Sequence, residues 1–168
     1  MPFLTPDRIF ESYRDLSPEF LRKEGIRALI LDIDNTLIPY EEDVPTDELY
    51  AWFTALRENG ISVSFVSNNR KRRLTVFNEK LNLPAYSTSC KPLPHNLFRA
   101  MKKMGVKRKE TAMVGDQLLT DMLAARFARV RSYIVPPIRD KKKFTVRLKR
   151  KIEAPLVKRY YKREAKKQ

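Results

Sequence analysis

Four absences narrow the field before any motif is read. The chain has one cysteine, Cys90, so no intrachain disulfide can form, and a reducing compartment suits it. It has one histidine, His95, which leaves little for a histidine metal cluster or a histidine-based triad; a helix-start role is the expectation there. No apolar run approaches the roughly 18 residues of a membrane span. Met1-Pro2-Phe3-Leu4-Thr5-Pro6-Asp7-Arg8 lacks a basic start followed by an apolar stretch, so no signal peptide is expected. Glycine is also scarce, with four residues against 11 prolines, and no collagen-like or linker-like bias results. The expected location is cytoplasmic, with peripheral attachment to the inner face of the membrane as the further option.

What is present suits one globular domain. The 168 residues are 42% hydrophobic, enough for a real core. The net charge of +15 is uneven: from Arg139 to Gln168 there are 14 Lys/Arg and three Asp/Glu, while residues 1–138 hold 21 and 17. A near-neutral body therefore carries a strongly basic tail, which would attract phospholipid headgroups or nucleic acid, or simply remain solvated. The expected organisation is a lead-in helix over 1–25, a core over 26–138 and a basic tail over 139–168. Phe144, Leu148 and Ile152 recur at helical spacing in that tail and read as a short amphipathic helix.

Strands and helices alternate. Ser17-Pro18-Glu19 starts a helix that Gly25 stops, and Ala28 to Leu31 is a buried strand ending at Asp32. Thr46 caps a helix carrying Leu49, Trp52, Phe53 and Leu56, closed by Gly60; Trp52 reads as core. Ile61 to Val66 is a strand ending at Ser67, followed by a helix over about 69–81. Ala85-Tyr86 is a short strand ahead of Lys91. A helix runs from Pro94 to Met104, a strand from Thr111 to Val114, a helix over about 118–127, and a strand from Ser132 to Val135. Such alternation predicts parallel βαβ units in a three-layer α/β/α sandwich with a central parallel sheet.

Ligands of open α/β sheets bind beyond the carboxyl ends of the strands. Asp32, Ser67, Lys91 and Asp116 are all expected just past strand ends, and so on one edge of the sheet. Phosphate-ester hydrolysis needs a nucleophile, a proton donor for the leaving oxygen, and cations for the phosphoryl oxygens. Asp32 suits the nucleophile, and Asp34 the acid and base. Mg²⁺ held by Asp32 and Asp116, with Asp34 as a further ligand, would neutralise charge. Lys91 adds a fixed cation. Ser67, Asn35, Thr36, Asn68 and Asn69 can hydrogen-bond phosphoryl oxygens through side chains or backbone N–H groups. Asp121 is placed either behind these groups or on a solvated helix face.

The rival reading of Asp32-x-Asp34 is a calcium loop. It fails at the sixth position, Leu37, and at the twelfth, Asp43. Cys90 next to Lys91 reads as a buried, unreactive thiol.

These segments resemble the haloacid dehalogenase superfamily of phosphatases. Asp32-Ile33-Asp34-Asn35-Thr36-Leu37 resembles its first motif, Val66-Ser67-Asn68-Asn69 the second, Lys91-Pro92 the third, and Gly115-Asp116-Gln117-Leu118-Leu119-Thr120-Asp121 the fourth. Ser67-Asn68-Asn69 followed by Arg72-Arg73 is similar to its subgroup IIIA, the YqeG-type phosphatases, which are akin to phosphatidylglycerophosphate phosphatases. The resemblance implies a Rossmannoid α/β/α fold, an aspartyl-phosphate intermediate and Mg²⁺. Thr36 to Ser67 and Ser67 to Lys91 leave no room for a cap domain, so the site should be open and suit a headgroup or a macromolecule. Phosphatidylglycerophosphate is the expected substrate. A phosphoprotein, sugar phosphate or nucleotide is the alternative, and an RNA- or ribosome-binding module using Tyr160 and Tyr161 is the reading from another class.

Overall fold

The computed structural model describes residues 5–139, 154–162 and 165. Phe144, Leu148 and Ile152, the expected amphipathic stripe, lie outside them.

Six parallel strands form one sheet: β1 Arg8–Ile9, β2 Ala28–Leu31, β3 Ser62–Val66, β4 Ala85–Tyr86, β5 Thr111–Gly115 and β6 Arg131–Ile134, in the order β1-β6-β5-β2-β3-β4. β2 lies inside the sheet and is buried along its whole length, which is why Ala28-Leu29-Ile30-Leu31 is continuously apolar rather than alternating. Between the strands run α1 Pro18–Lys23, α2 Asp47–Glu58, α3 Lys71–Asn78, α4 His95–Met104 and α5 Leu123–Ala128.

Strand alternation divides the core between the two faces. Leu29, Leu31 and Phe65 pack with Leu21 of α1, Leu49, Phe53 and Leu56 of α2, and Leu74 and Phe77 of α3. Ile30, Val66 and Met113 pack with Leu97, Ala100 and Met101 of α4 and Ala124, Ala125 and Ala128 of α5. Three layers result. Only α3 lies between β3 and β4, and α2 with its leading loop between β2 and β3, so no cap domain is inserted among the described residues.

The segment before Gly25 does more than lead in. Arg8 and Ile9 pair with Tyr133 and Ile134 and make β1 an edge of the sheet. Trp52 is half-buried against the core, its indole N–H donating to the Leu16 carbonyl at 3.3 Å. Residues 154–162 are helical and fold back on the body. Leu156 and Val157 pack against Leu118, Met122 and Ile134, and Tyr160 receives the Ile9 N–H on its hydroxyl at 3.3 Å.

Candidate active site

The segment after β2 turns at once. Asp32 is held to β5 through its N–H on the Val114 carbonyl, at 2.9 Å. Asn35 takes a left-handed conformation (φ 63°), which asparagine tolerates, and Thr36 and Leu37 donate back to the Ile33 carbonyl. This tight turn sends the two carboxylates of Asp32 and Asp34 into different surroundings.

Asp32 is buried beside Lys91. The Lys91 ammonium lies 2.7 Å from Asp32 Oδ1 and 2.7 Å from Asp121 Oδ1. Lys91 reaches this point because Asn68 clamps its backbone: the Lys91 N–H donates to Asn68 Oδ1 at 2.7 Å, and Asn68 Nδ2 donates to the Lys91 carbonyl at 3.2 Å. Inward and outward residues alternate around it. Ser89 and Lys91 are buried, while Cys90 between them points out, so the expected buried thiol is in fact exposed. His95 begins α4 and is exposed.

Asp121 is 1% exposed, so of the two placements considered for it the solvated helix face does not hold. Its position depends on a π-helical turn, Leu118–Met122, at whose start the Gln117 carbonyl accepts from both Asp121 and Met122. The carboxylate folds back to accept from the Gln117 N–H at 3.0 Å. A Cβ on Gly115 would meet the Asp121 carboxyl carbon at 2.3 Å, so only glycine admits it there.

Asp32, Asp116 and Asp121 form a cluster in which one carboxylate oxygen from each lies within 4.8 Å of the other two. Three carboxylates against one ammonium leave an excess of negative charge. Hard oxygen donors with that excess fit a divalent, oxygen-preferring cation. Burial pushes the Asp32 carboxyl up to about 7 against the pull of Lys91, and Asp121 and Asp34 push it the same way. Burial alone would lower Lys91, yet Asp121 and Asp32 outweigh it and hold the ammonium above its ordinary range.

Asp34, expected as a further metal ligand, is turned elsewhere. Its Oδ1 accepts from Arg73 Nε at 2.5 Å; its Oδ2 accepts from Asn69 Nδ2 at 3.2 Å and from the Ser67 hydroxyl at 3.5 Å. These donors occupy the carboxylate, and Asp121 stands with Asp32 and Asp116 instead. Thr36 reaches across with its hydroxyl 3.5 Å from Asp116 Oδ1. Asn35 Oδ1 is buried with no hydrogen-bond partner among the described residues. Arg73 stands six residues after Ser67 in the Arg72-Arg73 pair, a position whose charge and spacing alone do not point to the carboxylate it meets.

A cavity of about 650 Å³ reaches Asp116. Ile9, Phe10, Leu118 and Ile134 wall it from the body, and Val157 and Tyr161 from the C-terminal helix. A second, of about 570 Å³, lies at the opposite edge of the sheet where β3 begins, away from the carboxylates.

A parallel sheet with acidic groups and a buried lysine gathered past its inner strand ends has the architecture of a phosphate-ester hydrolase. A family model described as haloacid dehalogenase-like hydrolase matches residues 14–129, and the chain belongs to that family. It is 33% identical over 151 residues to the probable phosphatase YqeG of Bacillus subtilis (strain 168), covering 90% of this chain and 88% of that one. The protein is an enzyme, a phosphatase of this family. The fold is similar to that of an uncharacterized protein from Listeria monocytogenes serotype 4b, with a TM-score of 0.53, 13% identity, and 70% of this chain and 85% of that one covered. It is also similar to the cobalt-bound deoxy-D-mannose-octulosonate 8-phosphate phosphatase of Haemophilus influenzae, with a TM-score of 0.50 and 21% identity. That match spans 56% of this chain and 60% of the other.

Proposed function

We propose that the protein hydrolyses a phosphomonoester in two steps through an aspartyl-phosphate on Asp32, with Mg²⁺ as the cation, and that its substrate is a lipid headgroup phosphate, phosphatidylglycerophosphate first. The observation that carries the chemistry is the Lys91 ammonium, 2.7 Å from both Asp32 and Asp121 beside Asp116. An Asp32 oxygen attacks phosphorus, the ester P–O bond breaks, and Asp34 gives its proton to the departing oxygen. Asp34 then takes a proton from water, which attacks the aspartyl-phosphate, frees inorganic phosphate and restores Asp32. Lys91, Ser67 and the segments Asn35-Thr36 and Asn68-Asn69 orient the phosphoryl oxygens. Held by Asp32 and Asp116 with Asp121 beside them, Mg²⁺ would neutralise phosphoryl charge. Because Asp34 is engaged by Arg73, we assign its carboxylate to proton transfer alone.

Two features support a lipid. The groove at Asp116 is walled mainly by apolar side chains, with Lys158 and Tyr161 contributed by the C-terminal helix, a lining that suits an amphiphilic leaving group. The basic tail would add about 1 kcal/mol for each basic residue near an anionic surface. The RNA reading loses one of its stacking rings, since Tyr160 is 7% exposed and packed on β1. No described helix is long and apolar enough to cross a membrane. On this reading the protein works from the cytoplasmic side, peripheral to the inner face.

The test is a phosphate-release screen with and without Mg²⁺, on the full chain and on one truncated near Asp140. We expect Mg²⁺-dependent turnover of phosphatidylglycerophosphate, and co-sedimentation of the full chain with anionic liposomes. Inactivity on this lipid alongside good turnover of a phosphoprotein, sugar phosphate or nucleotide would overturn the substrate.

A further inference from the structure

We propose that Arg73 is a positioning residue for proton transfer: it fixes the direction of the Asp34 carboxylate and ties it to the loop between Pro39 and Asp43, so that protonation of the leaving group fails without it. This rests on the assignment of Asp34 to proton transfer.

All three guanidinium nitrogens are engaged, and they join two chain segments to α3. Nε donates to Asp34 Oδ1 at 2.5 Å. One terminal nitrogen pairs with Asp43, and the other donates to the Pro39 carbonyl at 3.2 Å. The guanidinium carbon lies 5.2 Å from the Tyr40 ring centroid. The Arg73 side chain is only 13% exposed and that of Asp34 12%, so their contact is shielded from water, whereas Asp43 is 62% exposed. A staple between α3 and the loop needs only Asp43, Pro39 and Tyr40. The third nitrogen is spent on a carboxylate two residues from Asp32. With Asn69 and Ser67 donating to the other oxygen, Asp34 has both oxygens directed. Lysine would keep the charge and lose the fork, so charge and geometry can be separated by substitution.

A general acid matters in proportion to how badly the leaving group needs a proton. p-Nitrophenyl phosphate releases a phenolate that needs none; glycerol 3-phosphate releases an alkoxide that does. The full chain in Mg²⁺ is assayed on both, as Arg73→Gln, Arg73→Lys, Asp43→Asn, Asp34→Asn and the Asp34→Asn/Arg73→Gln double variant. We expect Arg73→Gln, like Asp34→Asn, to lower kcat on glycerol 3-phosphate by about tenfold or more beyond its loss on p-nitrophenyl phosphate, with little difference in KM. The double variant should discriminate no more than Asp34→Asn alone. Arg73→Lys should restore part of the lost discrimination, and Asp43→Asn should lower both substrates alike. Equal losses on the two esters in Arg73→Gln would make Arg73 a mere staple and overturn the proposal, leaving Asp34 in place. An Asp34→Asn variant without discrimination would overturn both assignments. If Arg73→Gln does not fold, as judged by thermal unfolding, the same comparison in Arg73→Lys decides: no leaving-group dependence there overturns the proposal.

Discussion

Asp32 and Asp34 are two residues apart, yet they belong to opposite halves of the site. On the Asp32 side, three clustered carboxylates face one buried ammonium, and burial drives the Asp32 carboxyl up to about 7. On the Asp34 side, the Arg73 guanidinium meets Asp34 and Asp43, with Asn69 and Ser67 completing the hydrogen bonds. The first half carries excess negative charge and calls for a cation. The second is supplied with donors from its own protein and can do its work without one. The tight turn at Asn35 separates them, which lets one short motif hold both the proposed nucleophile and the proposed proton donor.

The largest contrast should come from the carboxylates themselves. Asp32→Asn removes the proposed nucleophile and should lower kcat by about 10⁴-fold or more. Asp34→Asn leaves the attack intact and should cost on the order of 10²–10⁴-fold. Both are read as phosphate release, with circular dichroism confirming the fold. Equal losses on every ester would blur the division of roles.

Next come the two cations. Lys91→Met leaves buried carboxylates unpaired and should cost about 3–5 kcal/mol in urea unfolding without metal. Mg²⁺ should recover part of that loss. Arg73→Gln should also destabilise, but Mg²⁺ should not restore it, because its carboxylates stand apart from the cluster.

The pH dependence is smaller and distinguishes the halves again. The folded-state value for Asp32 lies above its ordinary 3.8, so the folded chain binds more protons than the unfolded one in that window. Metal-free stability should therefore fall as pH rises from about 4 to about 7. Saturating Mg²⁺ should flatten the fall, and Asp32→Asn should remove its share. Denaturant midpoints in EDTA and in Mg²⁺ check this.

The smallest effect expected is at Gly115. Its alanine variant must push Asp121 aside, with about 1–3 kcal/mol lost. Mg²⁺ affinity by calorimetry should weaken, while the Asp34 side is untouched.

Much of this was legible in the sequence because strand ends and turn residues are local signals. Ala28 to Leu31, the apolar stretch before Ser67 and Thr111 to Val114 read directly as strands, and the residues just past them meet at one sheet edge. β1 was not legible: Arg8–Ile9 is too short to show a period, and it is a strand only because β6 offers it partners. The role of Arg73 depends on contacts 34 and 39 residues away in sequence, which no spacing rule reaches. Asp121 lay within reach of sequence reading, but the π turn that rotates it inward has no sequence signature of its own. Cys90 went the other way, exposed because its neighbours Ser89 and Lys91 take the interior.

The central claim is that Asp32 becomes covalently phosphorylated. The most direct measurement is an acid quench during turnover in Mg²⁺, followed by digestion and mass spectrometry. We expect one phosphoryl group on the peptide holding Asp32, sensitive to hydroxylamine and absent from Asp32→Asn. A phosphoryl group on another residue, or an Asp32→Asn variant that still turns over with no phosphorylated peptide at all, would contradict it.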